Sequence, residues 1–342
     1  MTGMLWVGGE GAIATNGAPR SGKVPFDETC PYPPSTQVFG MLGGVSAIDG
    51  AGGLWAQDAE DETGTLFVWT PDQLAQSCAS GVPAMTLILG HLWAIAFDSD
   101  GNLWGSGGLG VVGYRAADLQ ATGTLTPTWT LTGHCGPSLD ALCLPGGLAF
   151  DADNYLWVGD AFVGLLAFSP STRTGLNDGG FDGTGPLADF HITTPCMAED
   201  YDGGASQCEG AADLSIIDLA FDSAGTLWAS TASMGAFHLF AYSRAQLQNA
   251  QNNDQPRPVR DLVEPPYALA LAFDADGNLW VGAVSDWDAG EPNLLRLPRG
   301  SLALDAGSPS DLVAPDISIA VPGSPYWSLA FSPIPSGLPI QP

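Results

Sequence analysis

The sequence predicts an all-β fold that is built from a repeated four-stranded unit. Three observations carry this prediction: one short motif recurs, its flanks are rich in β-forming residues, and its copies are spread along all 342 residues. The motif is clearest as "FDADGNLWVG" from Phe273, and it returns as "FDSDGNLWGS" from Phe97, "FDADNYLWVG" from Phe150 and "FDSAGTLWAS" from Phe221. A weaker form, "IDGAGGLWAQ", begins at Ile48.

Each copy of the motif predicts a β-hairpin. An apolar stretch ends in Phe-Asp, and the Asp, Gly and Asn residues that follow suit a tight turn because they tolerate positive φ. Leu-Trp and a second apolar run then supply the returning strand, and two further β-rich segments follow it. Repeats of about 50 residues are typical of propeller blades, so we expect a six-bladed β-propeller with four-stranded blades. The tryptophans that mark the six units are Trp6, Trp55, Trp104, Trp157, Trp228 and Trp280.

The two ends of the chain carry complementary halves of the motif. "LWVGG" begins at Leu5 without an inner strand before it, and "LAFSP" begins at Leu329 without a partner after it. We expect the C-terminal inner strand to pair with the N-terminal strands and close the ring, which would leave no open terminal edge. The predicted organisation is a single domain over 1–342, with the last blade shared by residues 4–42 and 326–332. Loop insertions at 132–146 and 194–215 carry four of the cysteines.

The charge balance limits the classes of partner. Asp and Glu number 37 against 9 Lys and Arg, which gives a net charge of −28. Such a charge argues against nucleic acid and anionic membranes as partners, and it favours cations, cationic partners or simple solubility in a salty setting. No apolar run is long enough to span a bilayer, and no leader is visible because the first strand begins by residue 5. We expect a monomer.

The cysteine count is even, which favours disulfides. Two pairs are close in sequence, and the remaining two cysteines fall on the same face of adjacent blades, in connections between third and fourth strands. We therefore predict three disulfides and an extracytoplasmic location, secreted, periplasmic or at the cell surface. Six buried free thiols are the alternative. The predicted pairs are Cys30–Cys78, Cys135–Cys143 and Cys196–Cys208.

One face of the propeller, which we call the top face, carries the connections from strand two to strand three and from strand four to the next blade. The longest loops fall there, and the residues at the predicted channel mouth are aromatic with acidic neighbours. Such a surface suits a glycan, a peptide or protein, or a cationic ligand. The alternative is that the aromatic side chains only plug the channel. The predicted ligand-binding residues are His91, Trp93, Tyr267, Tyr326, Trp327, Asp160, Asp286 and Asp288.

Two further acidic features raise the question of a cation. Asp218 stands at an inner-strand position where the other blades have small or apolar residues, so it either holds a cation or bonds water or backbone groups. "DSDGN" from Asp98 and "DADGN" from Asp274 resemble the start of a calcium loop, but their recurrence in the hairpin turn favours turn chemistry. The sequence therefore predicts either no cofactor or a divalent cation such as Ca²⁺.

The repeat resembles that of the NHL, SMP-30/gluconolactonase and virginiamycin B lyase-like propellers, whose blades carry a similar Asp–x–x–Gly–Asn–Leu–Trp signature. In the lactonases, the resemblance implies a divalent metal held by acidic and amide side chains above the channel, and here it points to Glu264, which joins Asp218 as a candidate metal ligand. In the lyases it implies a His and Glu pair, for which His91 and His134 are the histidine candidates. No catalytic residue can be assigned. We expect a non-catalytic recognition or scaffold module, with a metal-dependent lactonase or lyase as the alternative.

Overall fold

A computed structural model describes the greater part of the repeat units. The described residues are 3–7, 11–15, 45–57, 63–74, 83–108, 110–132, 142–174, 187–192, 215–233, 236–250, 260–263, 267–284, 294–303, 314–319 and 329–332.

Four antiparallel strands form the basic sheet of each of five blades, in chain order from the inner edge outward. The first blade contains β3 (Ser46–Ile48), β4 (Leu54–Gln57), β5 (Thr65–Trp69) and β6 (Met85–Ile88). The second contains β7 (Ala94–Phe97), β8 (Leu103–Gly107), β9 (Gly110–Tyr114) and β11 (Trp129–Thr132). A short strand β10 (Gly123–Thr124) leaves the second blade and pairs in parallel with β6, which makes the first sheet five-stranded.

The other three blades have the same order. The third contains β12 (Pro145–Phe150), β13 (Leu156–Asp160), β14 (Gly164–Phe168) and β15 (Phe190–Ile192). The fourth contains β16 (Ser215–Phe221), β17 (Leu227–Ser233), β18 (Ala236–Tyr242) and β19 (Arg260–Val263). The fifth contains β20 (Tyr267–Phe273), β21 (Leu279–Val284), β22 (Leu294–Leu297) and β23 (Ile317–Ile319).

The two chain ends meet in a smaller sheet. Within the described residues it has three strands, in the order β2 (Gly11–Thr15), β1 (Gly3–Val7) and β24 (Leu329–Ser332). Leu5 pairs with Phe331, which joins the two half-motifs noted in the sequence. The prediction of six four-stranded blades is nevertheless wrong, because the described chain forms five such blades and this three-stranded terminal sheet. Inner strand β24 contacts β3 on one side and β20 on the other.

The core lies in the seams between neighbouring blades. Each of four apolar clusters combines residues from two adjacent blades, so the blades stabilise one another rather than folding around separate cores. Trp55 of the first blade packs edge-on against Phe97 of the second at 5.2 Å, and Trp228 of the fourth packs against Phe273 of the fifth at 6.3 Å. The Phe of each of the four Phe-Asp pairs thus belongs to a seam.

The recurring Asp of the motif makes the same set of hydrogen bonds in all five blades. In the third blade, one carboxylate oxygen of Asp151 accepts from the backbone N–H groups of Asp153 (2.9 Å) and Tyr155 (2.8 Å). The other accepts from Nε1 of Trp157 at 3.0 Å. The third residue after the Asp has positive φ in every copy, 63° at Asn154 and 78–88° at the four glycines. The prediction of turn chemistry is confirmed. We call this arrangement the Asp–Trp clip; its carboxylates are Asp49, Asp98, Asp151, Asp222 and Asp274.

Short helical segments follow the third strand on the face opposite the top, which we call the bottom face. They are α1 (Pro71–Leu74), α2 (Pro170–Thr174), α3 (Arg244–Asn249) and a 3₁₀ segment (Arg299–Leu302). The clips lie on this same face because hairpin turns between strands one and two emerge there. Across the described residues, no helix is both long and apolar enough to span a membrane.

Candidate functional site

Asp218 lies on the inner strand β16, where a bulge interrupts the pairing with β17 between Ile216 and Asp218. The side chain is half-buried, and one carboxylate oxygen accepts a hydrogen bond of 2.7 Å from the backbone N–H of Leu271 in the next blade. Desolvation by burial raises the pKa of Asp218 to about 7, although the backbone N–H groups of Leu271 and Leu219 oppose this rise. The carboxyl group therefore titrates near neutral pH and links two inner strands.

The third blade approaches Asp218 from the other side. A Cβ on Gly147 would lie 2.6 Å from the Cα of Asp218, closer than side chains are found to approach backbone. Only glycine fits at this position, so the absence of a side chain lets β12 pack directly on β16. Three inner strands thus converge at Asp218. Two roles were predicted for Asp218, and one of them, bonding to the backbone, is seen at its Oδ2, which accepts from Leu271. The other role, cation binding, stays a prediction.

Trp93 is an aromatic residue on the top face with 43% of its surface exposed. It precedes β7, and its backbone N–H donates to the carbonyl of Ser106 at 2.8 Å. The Ser106 hydroxyl in turn donates to the carbonyl of Gly146 in the third blade at 2.6 Å. His91, two residues earlier, is also exposed. The backbone beneath Trp93 is therefore fixed by bonds within its blade, and that blade is bonded to its neighbour.

Gln57 braces the same segment from the first blade. Its side chain is buried, with 1% exposed. The amide nitrogen donates to the carbonyls of Gly64 (3.1 Å) and Gly90 (2.9 Å), and the amide oxygen accepts from the N–H of Leu92 at 2.8 Å. The chain from 90 to 93 is thus held on both sides, which presents Trp93 from a rigid support.

Phe162 is a second exposed aromatic residue on the top face, at 55% exposure, in the turn between β13 and β14. Sequence reasoning missed it because a single Phe in a short turn carries no pattern. Asp160 shapes this turn: one of its oxygens accepts from the N–H groups of Phe162 (2.9 Å) and Val163 (3.3 Å). The other accepts from Cys143 (2.7 Å) and Leu144 (2.8 Å).

The carboxylate of Asp160 is therefore directed inward. The residue is fully buried and has four backbone donors, so its observed contacts are structural, and its predicted role in ligand binding stays a prediction. It ties the turn that carries Phe162 to the segment that enters the third blade.

The remaining predicted residues are only partly within the described chain. Tyr267 begins β20 and pairs with Val284. Among the described residues, no group of three or more His, Cys, Asp or Glu side chains could hold a metal ion. Cys143 is disulfide-bonded, but its partner lies outside the described residues, so the three predicted pairings stay predictions. The predicted site and disulfide residues that lie outside the described part of the chain are Tyr326, Trp327, Asp286, Asp288, Glu264, His134, Cys30, Cys78, Cys135, Cys196 and Cys208.

No protein-family model matches the chain, and no curated protein matches it in sequence. Similar solved structures include the extracellular domain of a one-component system from B. thetaiotaomicron, with a TM-score of 0.47 and 14% identity; the match covers 95% of this chain and 34% of that chain. The chain therefore spans about a third of that structure's length. The Cps50 (Swd1) β-propeller domain of Myceliophteria thermophila has a TM-score of 0.48 and 11% identity, covering 84% of this chain and 89% of that chain.

A streptogramin B lyase is also similar, with a TM-score of 0.40 and 9% identity, covering 75% of this chain and 65% of that chain. The β-propeller fold expected from the resemblance of the repeat is shown by the arrangement of this chain's own sheets. Identities this low carry no information about activity.

Proposed function

We propose that this propeller is a recognition or scaffold module that binds a glycan or peptide on its top face without chemical turnover. One observation carries the proposal: Trp93 and Phe162 are exposed on top-face connections of neighbouring blades, on backbone braced by buried side chains. Exposed aromatic side chains on a rigid support suit stacking against sugar rings or apolar and cationic side chains. Tyr326 and Trp327, which the sequence also predicts to bind the ligand, would extend the same surface.

A glycan and peptide array tests this placement. The wild-type protein is expected to bind a defined set of probes, and Trp93→Ala and Phe162→Ala should each lower that binding at least about fivefold, because each removes a contact worth on the order of 1 kcal/mol. Leu187→Ala is the matched control, since Leu187 is also exposed, at 60%, but precedes β15 on the bottom face. Equal loss in the control, or unchanged binding in both aromatic variants, rejects the proposed surface.

A metal-dependent lactonase or lyase in the central channel is the second candidate. Asp218 favours it, because a carboxyl group whose pKa is about 7 beside the axis is the kind of perturbed group that catalytic sites use. Metal analysis of purified protein and a lactone hydrolysis screen separate the two candidates. Tightly held stoichiometric metal, with turnover abolished by Asp218→Ala or Glu264→Ala, would replace the binding-only proposal.

An extracytoplasmic location is part of the proposal. It rests on the six cysteines and the net charge of −28, together with the disulfide at Cys143. Peptide mapping without reductant should find the three predicted links. Six free thiols in protein prepared that way would remove the main support for this location.

A further inference from the structure

The seam between the second and third blades contains a buried arginine. Arg173 of α2 is 1% exposed, and its guanidinium lies over the rings of Phe150 at 4.8 Å and Trp104 at 5.3 Å. It forms an ion pair of 3.2 Å with Asp98, the clip carboxylate of the second blade, and donates to the backbone carbonyl of Asn154. This seam shows that a clip carboxylate with the aromatic rings beside it accommodates a guanidinium.

The other blades have leucine at the position of Arg173. In the seam between the third and fourth blades this residue is Leu247, which is buried and belongs to the same cluster as Trp157 and Phe221. The clip carboxylate there, Asp151, therefore has no arginine from the corresponding position. The equivalent residues in the remaining blades are Leu74, Leu119 and Leu302.

A cleft of about 240 Å³ opens at this third–fourth seam, on the bottom face. Aromatic rings form much of its wall: Tyr155 lies 5.2 Å from Phe190, and Trp157 lies 6.4 Å from Phe190, measured between ring centroids. Asp151 and Leu247 also line it. The cleft thus combines the groups that hold Arg173 in the neighbouring seam, a clip carboxylate and aromatic rings, without an internal cation between them.

The two clip carboxylates differ in how they are satisfied. The outer oxygen of Asp98, Oδ2, accepts from Asn102, Trp104 and Arg173 at 2.9, 3.1 and 3.2 Å. The same oxygen of Asp151 accepts only from Trp157 among the described residues, since Tyr155 replaces the amide of Asn102. It therefore keeps capacity for another donor. Burial raises the pKa of Asp151, and the N–H donors of Trp157, Tyr155 and Asp153 oppose this rise.

The cation already present at the cleft does not occupy this position. Arg244 also lines the cleft, but its guanidinium pairs with Asp153 at 3.2 Å, and both side chains are about half exposed, at 50% and 57%. An exposed pair of this kind is largely screened by water, and Arg244 is directed to Asp153 rather than to Asp151.

From these contacts we propose that the cleft between the third and fourth blades binds a guanidinium group on a short aliphatic chain, as in arginine or an arginine side chain. The guanidinium would donate to Oδ2 of Asp151 and lie beside the rings of Tyr155 and Phe190 in the cleft, next to Leu247, which fills the position that Arg173 holds in the neighbouring seam. The site is distinct from the top-face surface, and its test does not depend on that proposal.

Binding to the intact protein is measured by calorimetry with three probes: L-arginine, L-citrulline and the peptide acetyl-Gly-Arg-Gly-amide. Citrulline has the same shape as arginine without the charge, so arginine should bind at least about tenfold more tightly, the factor expected from one charge-assisted contact. Binding of the peptide but not of free arginine identifies a polypeptide as the source of the group. Equal affinity for arginine and citrulline, or no binding of either arginine probe, overturns the proposal, and this comparison needs no variant.

Two variants test the residues. Leu247→Arg should abolish arginine binding because it supplies an internal guanidinium, as Arg173 does in the adjacent seam. Asp151→Asn should weaken binding at least about tenfold. The matched controls are Leu119→Arg and Asp49→Asn, which make the same changes in the seam between the first and second blades, where the Asp49 clip has the same three bonds. Loss of binding in the controls as large as in the variants would overturn the assignment to this cleft.

Discussion

Replacing Asp218 with Asn should change how the stability of the protein depends on pH. The pKa of Asp218 is about 7 in the folded protein against an ordinary value of 3.8, so between these values the folded state holds a proton that the unfolded state has lost. Asp218 therefore contributes stability below about pH 4, and this contribution is lost as the pH rises towards 7. The full interval corresponds to about 4 kcal/mol, an upper limit because the side chain is only half-buried.

The asparagine in Asp218→Asn keeps an oxygen that can accept from Leu271 but cannot ionise. Urea unfolding of both proteins at about pH 5 and pH 8 gives the comparison, and the slopes with denaturant check that the unfolded states match. Relative to the variant, the wild type should lose about 2 kcal/mol of unfolding free energy between the two pH values. Asp72→Asn, at an exposed helical position, is the control and should follow the wild type. Parallel profiles for wild type and Asp218→Asn would refute the assigned pKa.

Two pairs of substitutions test the packing between blades. Asp98→Ala should cost about 3–5 kcal/mol by leaving a buried guanidinium without its partner, and Arg173→Leu should cost less, because Asp98 keeps the hydrogen bonds from Asn102 and Trp104; thermal and urea unfolding that show equal costs would contradict this. Gly147→Ala should cost about 1–3 kcal/mol or more, because its Cβ would meet the backbone of Asp218, while Gly300→Ala has open space and should be neutral; equal stability of these two variants would argue against the close approach of the inner strands.

The sequence was sufficient to predict the propeller but not the number of its complete blades. The Leu-Trp motif reports the first two strands of a unit, so counting Trp6 with the other tryptophans counted a hairpin and not a four-stranded sheet. Outer strands have weak patterns because one of their edges faces solvent, so the motif does not report whether a unit is complete. The parallel strand at Gly123 was missed for the same reason.

The clips were predictable in part. Asp, Gly and Asn in the turn predicted positive φ correctly, and the constant six-residue interval between Asp and Trp was available as a signal for the bond between them. The sequence also shows Arg173 as the one departure from leucine at this position of the repeat. Its ion pair with Asp98 could not be predicted, because that requires knowing that α2 reaches the neighbouring blade. The role of Asp160 in its turn was not predictable, because its donors come from segments joined only in the folded chain.

The pairing of β1 with β24 has a consequence for how the molecule is made. Strand β1 is synthesised before the five blades, yet its inner neighbour β24 is synthesised only after them. Blades one to five can assemble in order from local hairpins during synthesis, but the last seam must wait for the pairing of Leu5 with Phe331. Contacts between residues so distant in sequence are the slowest kind to form. Premature termination a few residues upstream of β24 would therefore leave β1 without its inner partner. It would also expose β3 and β20, the inner strands that β24 contacts. A rearranged gene that begins at the second blade and joins the present ends through a linker would make the same contact local, and its product should close faster.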